Sequence, residues 1–359
     1  MQEGGNRARP EGARGDRGRR SGGVRQDRRA GEGRARELTD RLERAFLQQA
    51  EQCERNGSPL YAQVCRRLAR EAIVAEVAPD DEWDRPLQLL GGLHYLALSE
   101  GIDPWGDPAA VVAEHREWLR RFLVEHDVQT NEVQRSWFLL PCMLDIVRRS
   151  GGGTLDLIEL GASAGLNLVW DSYRYVYERG TWGRAESPLE LSGEERRAVP
   201  AELLGLEPRI RGRLGLEIAP VDVTDERQAL LLKSFVWADQ AQRLARLDQA
   251  IEAIRSHPPQ LERADILERI PALLAERRPG ALTVVYATAV FPYVERPAEV
   301  VAEIENAGRT GALAFLYTGP PAPGEHGYWG LWLRLWPQAE DEVLLAHAGF
   351  HGQWLEWLA

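Results

Sequence analysis

Residues 154–170, with the sequence TLDLIELGASAGLNLVW, decide the fold class of this chain. The first seven residues form a short, mostly apolar run that ends at Gly161, which is typical of a buried strand. The small residues from Gly161 to Gly165 favour a tight turn, because glycine adopts backbone conformations that other residues avoid. A helix is then expected through Leu166–Trp170. A strand, a glycine turn and a helix in this order indicate the start of a βαβ unit.

Apolar runs and helical segments alternate after this stretch. The predicted elements are strands at 213–218, 281–290 and 311–317 and helices near 226–256, 266–278 and 297–307. This alternation indicates an α/β domain with a Rossmann-like, mostly parallel sheet. Two further apolar runs, at 342–347 and 351–358, flank only a short loop, so they are predicted to form an antiparallel hairpin at the end of the chain.

Residues 38–150 show a helical pattern instead. Apolar residues recur every three or four positions, as at Leu42 and Phe46. Ser58-Pro59 predicts a helix start, with serine as the N-cap and proline in the first helical position. Further helices are expected at 86–99, 108–125 and 131–149. The run of glycines at 151–153 marks the predicted boundary between this all-helical domain and the Rossmann-like domain, 151–359.

Two segments depart from the α/β rhythm. Residues 172–212 are predicted to be an insertion after the first helix, in which 171–177 alternates like a strand and 188–192 pairs with it. Farther along, Trp329, Trp332 and Trp336 recur with helical spacing, which favours a core helix over an exposed stacking surface.

Charge is unevenly distributed along the chain. The net charge is −11, but residues 1–37 carry +5 and the remainder carries −16. This basic tail is rich in glycine and has almost no large apolar side chain, so it is predicted to be disordered. Its partner is left open, since it fits an acidic partner, a nucleic acid or a dispensable extension. The acidic body argues against broad nucleic-acid binding by the folded part.

Several classes of protein are not indicated. No apolar run approaches 18–20 residues, so no membrane span and no membrane partner are expected. The three cysteines form no C-x-x-C motif and the histidines show no metal spacing, so neither a disulfide framework nor a metal site is predicted. A cytoplasmic protein is the expectation that follows.

The glycine turn fits a hydrolase motif literally. Gly161–Gly165 matches G-x-S-x-G, in which Ser163 would be the nucleophile. The candidate acids and bases that follow it in the chain are Asp222, Asp265, His326, His347 and His351. The long helical region that precedes the motif is unusual for such an elbow. A dinucleotide fingerprint fits poorly, because Ser163 and Leu166 replace its second and third glycines.

The same segment resembles the acidic-x-G-x-G-x-G loop of class I S-adenosylmethionine-dependent methyltransferases, with Ser163 at the middle glycine. The resemblance implies that an acidic residue after the second strand, Glu217 or Asp222, binds the cofactor ribose. It also implies that Asp265 reaches the adenine and that the loop amides, with a helix dipole behind them, hold the cofactor carboxylate. The implied cofactor-binding residues are Glu159, Gly161, Ser163, Gly165, Asn167, Glu217, Asp222 and Asp265.

Residues for the methyl acceptor are predicted from their positions. The candidates for catalysis are Tyr286, Thr288 and Tyr293 near the fourth strand and Glu132 and Arg135 near the last N-terminal helix. The candidates for substrate binding are Asn131 and the insertion residues Tyr173, Arg174 and Tyr175. The tyrosines fit core packing as well. Asp225 with Gln228 three positions later is expected to be a structural capping box.

Residues 40–359 also resemble an uncharacterised bacterial family known as domain of unknown function 2332. The segments that carry this are QTNEV at 129–133, ELGASAGLNL at 159–168, YRY at 173–175, PVDVTD at 220–225 and GQWLEW at 352–357. That resemblance implies no activity. The expected function is S-adenosylmethionine binding and methyl transfer to a small molecule, with a serine hydrolase at Ser163 or a non-catalytic binding module as alternatives.

Overall fold

A computed structural model describes residues 21–78, 80–129, 132–255 and 257–359, with side chains from Arg36 onward except at 339–340. The chain divides into two units, of which the first comprises Met1–Leu89 and Trp105–His126 and the second Leu90–Pro104 and Asp127–Ala359. The last predicted helix of the N-terminal region therefore belongs with the sheet, and the division differs from the expected boundary near residue 150. The predicted disordered tail falls partly on residues 1–20, outside the described part, and a helix begins at Ser21.

The helices, numbered in chain order, are α1 (Ser21–Arg55), α2 (Pro59–Leu68), α3 (Ala72–Val77), α4 (Arg85–Glu100), α5 (Pro108–Glu114), α6 (Arg116–Glu125), α7 (Arg135–Arg149), α8 (Ala201–Leu204), α9 (Glu226–Ser234), α10 (Ala241–Arg255), α11 (Ile266–Ala275) and α12 (Pro297–Thr310). The strands are β1 (Thr154–Leu160), β2 (Arg174–Tyr177), β3 (Gly180–Trp182), β4 (Glu190–Leu191), β5 (Glu194–Arg197), β6 (Arg209–Glu217), β7 (Leu261–Arg263), β8 (Leu282–Ala287), β9 (Leu313–Gly319), β10 (Trp329–Trp336), β11 (Ala339–Ala348) and β12 (Trp354–Trp357).

The first unit is helical, as its apolar spacing predicts. Leu42 and Phe46 of α1 are buried, and so is Leu68 of α2. Ser58 caps α2 by accepting a hydrogen bond from the Tyr61 N–H at 3.4 Å, with proline in the first turn, so the predicted helix start is confirmed. The cap satisfies a backbone donor that has no partner inside the helix.

The second unit contains a large mixed sheet. Within the described residues its strand order is β5-β12-β11-β10-β9-β8-β1-β6-β7. The five strands β9-β8-β1-β6-β7 are parallel, and β10, β11 and β12 add antiparallel pairs at one side. The strand order reverses between β1 and β8, and such a switch point is where open α/β sheets place ligands.

Strand β1 separates two apolar cores because its side chains alternate between the faces of the sheet. Leu155 and Leu157 belong to the core on one face, and Ile158 and Leu160 belong to the core on the other. Glu159 has the same parity as Leu157, so the carboxylate at the end of β1 lies on the face shared with α7. The strand end therefore places an acidic side chain against the larger core.

Of two predicted helices, one is present as a helix of another type and the other is wrong. The segment after the glycine turn is a 3-10 helix, Asn167–Ser172, with a kink at Val169. Its first four residues are all buried, so no solvent face supports a longer amphipathic helix before the insertion begins. The tryptophan-rich segment is strand β10, in which Leu331, Leu333 and Leu335 are buried with a period of two.

The insertion forms a small sheet of its own. Strand β2 pairs antiparallel with β3 and parallel with β4, where Arg174 lies opposite Glu190, so the predicted pairing with 188–192 is confirmed. Strand β5 leaves this sheet and pairs in parallel with β12, with Glu194 opposite Trp354. The insertion thus covers one edge of the large sheet, which the sequence pattern does not predict.

Candidate functional site

The glycine loop, residues 161–165, needs its small residues for internal reasons. Gly161 and Gly165 have φ values of +71° and +73°, which favour glycine. A Cβ on Gly161 would lie 2.3 Å from Val290 Cγ2, and one on Gly165 would lie 2.5 Å from Pro259 Cγ. Neighbouring side chains of the protein therefore fill the space above both glycines.

Four of the five backbone amides of this loop donate within the protein. The N–H groups of Gly161 and Ala162 donate to the Leu216 carbonyl at 2.9 and 3.2 Å, and that of Gly165 donates to the Ala162 carbonyl at 2.7 Å. No α-helix follows the loop, because the chain continues as a six-residue 3-10 helix. These three amides thus donate within the protein and no α-helix stands behind the loop, while the expectation that the loop amides hold an anionic group stays a prediction.

Glu217 ties the end of β6 to the glycine loop. Its Oε2 accepts a hydrogen bond from the Ser163 N–H at 2.9 Å, and its Oε1 accepts one from the Ala219 N–H at 3.1 Å. The side chain is buried. Two amide donors fix the carboxylate beside the switch point, and each oxygen keeps a lone pair for a further donor.

The hydroxyl of Ser163 does not have the partner that a nucleophile needs. It donates to Gln129 Oε1 at 2.6 Å, and a neutral amide oxygen cannot take up its proton. Ser163 has a φ of +51°, as a strained elbow would, but strain alone does not activate a hydroxyl.

The expected acids and bases of a triad lie in other contacts. Asp265 caps α11 by accepting from the Leu267 and Glu268 N–H groups. Asp222 accepts from the backbone and hydroxyl of Thr224, and these hydrogen bonds lower the pKa of its exposed carboxyl. Among the histidines, His326 is exposed, His347 pairs with Glu356 at 3.2 Å, and His351 lies 3.8 Å from Glu132.

The Asp225 capping box forms only in part. Asp225 caps α9 by accepting from the Arg227 and Gln228 N–H groups. The Gln228 side chain accepts from the Asp222 N–H and not from that of Asp225. Asp222, Asp225 and Asp265 thus all support local structure.

Glu159 is the most deeply buried acid of the site, at 2% exposure. Burial raises the pKa of its carboxyl well above the ordinary value, and the charge of Glu217 adds to the rise. The Tyr286 hydroxyl lies 3.3 Å from Glu159 Oε2 and 3.2 Å from the Asn167 carbonyl oxygen. The Asn167 side chain in turn accepts a hydrogen bond from the Ser136 hydroxyl at 2.7 Å. A protonated carboxyl is therefore favoured at the end of β1.

The other predicted substrate residues are placed differently. Tyr173 and Tyr175 are fully buried, and their hydroxyls donate to the carbonyls of Leu166 and Trp170, so they pack the insertion. Arg174 pairs with Glu190 at 2.8 Å. Asn131 lies outside the described residues. Thr288 is buried just after β8, whereas Tyr293 is 54% exposed.

Three arginines gather beside this strand end and are called the arginine cluster: Arg135 of α7 and Arg243 and Arg246 of α10. Arg135 is buried, and its Nε donates to the Phe350 carbonyl at 3.2 Å. Arg243 Nε lies 2.6 Å from Glu132 Oε2. Burial lowers the pKa of both Arg135 and Arg246, because their charged guanidinium groups lose water.

His351 borders the arginine cluster. Burial lowers the pKa of its imidazole well below the ordinary value, and the charges of Arg243 and Arg135 lower it further. Its ring lies edge-on to Trp237, and the Arg243 guanidinium lies 5.9 Å from the same indole. Arg243 and Arg246 were not predicted. They share a face of α10 with residues that are buried, Leu247, Ala250 and Ile254. Arginine is unexpected on such a face, and this pattern could have identified them.

In the part of the chain that the structure describes, no helix is both long and apolar enough to cross a membrane. Neither the curated proteins nor the solved structures contain a match to this sequence. One family model matches residues 43–357, nearly the whole folded chain, and its description is "Uncharacterized protein conserved in bacteria (DUF2332)". The segments that resembled this family in the sequence all lie within that match, and the chain belongs to the DUF2332 family.

Proposed function

We propose that this chain binds S-adenosylmethionine and is a methyltransferase-like protein that acts on a small molecule. One observation carries the proposal: Glu217, at the end of β6, reaches the glycine loop after β1 across 2.9 Å. The resemblance to class I methyltransferases implies this pair of features, a loop after the first strand and an acid after the second. The strand order supports the proposal, because both features lie beside the switch point.

The residues present fit part of this cofactor. The fixed carboxylate of Glu217 suits the two hydroxyls of a ribose, since each of its oxygens can accept a further hydrogen bond. The cofactor, when bound, supplies an electrophilic methyl group. The amides of Gly161, Ala162, Ser163 and Gly165 do not fit its carboxylate, because each already donates within the protein.

Access to the glycine loop is limited by the segment after β8. Val290 lies against Gly161, and Ala289 beside it has a φ of +58° and donates its N–H to the Thr318 hydroxyl at 2.8 Å. A ligand that contacts the loop must displace Val290. The proposal therefore includes a movement of residues 288–293 on binding, which would also exclude water from the reacting groups.

Titration calorimetry of the full chain with S-adenosylhomocysteine tests the proposal. We expect a dissociation constant in the micromolar range. Glu217→Ala removes charge-assisted hydrogen bonds, each worth about 1.5–3 kcal/mol, and should weaken binding at least about tenfold. Glu268→Gln is the matched control, since it removes an exposed carboxylate that no part of the proposal uses, and it should bind as the wild type does.

Glu217→Ala also leaves two amides without an acceptor, so its folding must be checked by circular dichroism, with Glu217→Gln as the milder variant. Absence of wild-type binding at millimolar ligand would overturn the proposal. Labelling of Ser163 by a fluorophosphonate, lost in Ser163→Ala, would favour the hydrolase alternative. Binding without methylation of any acceptor would favour a binding module.

A further inference from the structure

We infer that the arginine cluster, Arg135, Arg243 and Arg246, is a binding site for the oxyanion of a small molecule. The inference is independent of the proposed cofactor, because it rests on the charges and unpaired donors of these residues alone. The cluster lies near Glu159 at the carboxyl end of β1, since Ser136, next to Arg135, donates to the Asn167 side chain at 2.7 Å and the Tyr286 hydroxyl lies within 3.3 Å of both Asn167 and Glu159.

The cluster has more positive charge than its surroundings neutralise. Within the described residues, Glu132 is the one carboxylate within 4 Å of any of the three guanidinium groups. His351 stays neutral near physiological pH because burial lowers its pKa. Burial raises the pKa of the Glu159 carboxyl, which favours its neutral form. The three arginines and Glu132 therefore leave a net charge of about +2 in a region with little water.

Several donors of this region have no acceptor. Arg135 is buried, and its two terminal nitrogens, which are not fully shielded from solvent, make no hydrogen bond to any described residue. The buried Nε of Arg246 has no hydrogen-bond partner, and neither does the buried Nδ1 of His351, which is a donor or an acceptor according to its tautomer. Arg243 Nε and Glu132 Oε2 are close in distance, but their geometry is not that of a hydrogen bond. Buried donors without acceptors are costly, so a native protein keeps them for a ligand or a function.

An oxyanion matches this set of groups. Guanidinium groups present planar pairs of N–H donors that fit phosphate and carboxylate oxygens in bidentate geometry. A net charge of about +2 is neutralised best by a dianion, so a phosphate monoester is favoured over a single carboxylate. Trp237, which lies against both His351 and the Arg243 guanidinium, gives the ligand an aromatic wall.

The experiment is thermal unfolding and titration calorimetry of the full chain with sodium phosphate, sodium acetate and sodium chloride at matched ionic strength. Phosphate should raise the unfolding temperature above the chloride value, with a dissociation constant below about 1 mM. Arg246→Gln should weaken phosphate binding about tenfold, the loss of one charge-assisted pair. Arg255→Gln, on the same helix but exposed, should leave the dissociation constant for phosphate within about twofold of the wild-type value.

Each result separates the possibilities. Acetate binding that equals phosphate binding would retain the oxyanion site and assign it to a carboxylate. Competition between phosphate and S-adenosylhomocysteine would show that the cofactor's own carboxylate occupies the cluster. Simultaneous binding of both ligands would show that the cluster serves a second molecule. No effect of either anion beyond that of chloride, or equal affinities of Arg246→Gln and the wild type, would overturn the inference.

Discussion

The glycine loop and the arginine cluster lie at the same end of the sheet, but they differ in whether their polar groups have hydrogen-bond partners. In the loop, the amides of Gly161, Ala162 and Gly165 donate to backbone carbonyls and that of Ser163 donates to Glu217. In the cluster, the buried Nε atoms of Arg243 and Arg246 make no hydrogen bond. A motif that looks like a ligand cradle in sequence can thus be structural, while unsatisfied groups that form no motif carry the stronger indication of a ligand.

The largest effect is expected at the loop. Gly161→Ala should lower the free energy of unfolding by about 3–5 kcal/mol, because the new Cβ meets Val290 at 2.3 Å and the residue has a positive φ. Gly151→Ala is the control, since Gly151 also has a positive φ but has nothing within 4 Å. That variant should lower the free energy of unfolding by only about 1 kcal/mol. Urea unfolding measures both.

A double variant sharpens this prediction. Val290→Ala should recover at least about 1 kcal/mol in the Gly161→Ala background, because it removes the methyl groups that the new Cβ contacts. Equal costs for Gly161→Ala and Gly151→Ala would show that the backbone angle, and not the packing of Val290, explains the glycine.

The next effect concerns the cluster. Glu132→Gln removes the carboxylate that faces Arg243, so it should destabilise the protein by about 3 kcal/mol. The same change raises the net positive charge, so phosphate should bind about three- to tenfold more tightly and restore part of the lost stability. Phosphate titrations of the unfolding temperature test both. Weaker phosphate binding by this variant would mean that Glu132 organises the arginines.

The smallest effect is a pH dependence. Since the pKa of Glu159 is raised in the folded state, the folded protein keeps a proton that the unfolded chain releases. Stability should therefore fall as pH rises from about 4.3 toward the raised pKa, by at most about 1.4 kcal/mol per pH unit. Glu159→Gln should lack this slope in urea unfolding. Glu268→Gln, at an exposed carboxylate, should retain it, and a persistent slope in Glu159→Gln would contradict a protonated Glu159.

Much of the fold could be predicted because its strands are short apolar runs. The predicted strands at 213–218, 281–290 and 311–317 correspond to β6, β8 and β9. The helix expected at 166–170 is present as a short 3-10 helix, Asn167–Ser172, and its type could not be predicted because the burial of Asn167–Trp170 leaves no amphipathic pattern. Strand β5 could not be predicted, since its sequence EERR has no apolar alternation and its partner is about 160 residues away.

The sequence indicates some of the polar residues at the sheet end, Glu159, Glu217 and Arg135, but not Arg243 or Arg246. Glu159 and Glu217 lie at the ends of strands that are easy to recognise, so their positions at the sheet end were accessible from sequence order. Arg243 and Arg246 lie on a helix whose charge is ordinary in sequence, and only its packing shows that they face the interior. Which face of α10 is buried depends on long-range packing. No local sequence pattern predicts which distant loop, such as that of His351, covers a helix face.

The pairing of β5 with β12 has a consequence for how the chain folds. Glu194 of β5 lies opposite Trp354 of β12, about 160 residues later in the chain, so β5 can join the edge of the large sheet only after β12 has been synthesised. Contacts of such long sequence separation slow folding. During synthesis β5 therefore has no partner in the large sheet, and its charged sequence, EERR, opposes pairing with a neighbouring nascent chain in the meantime.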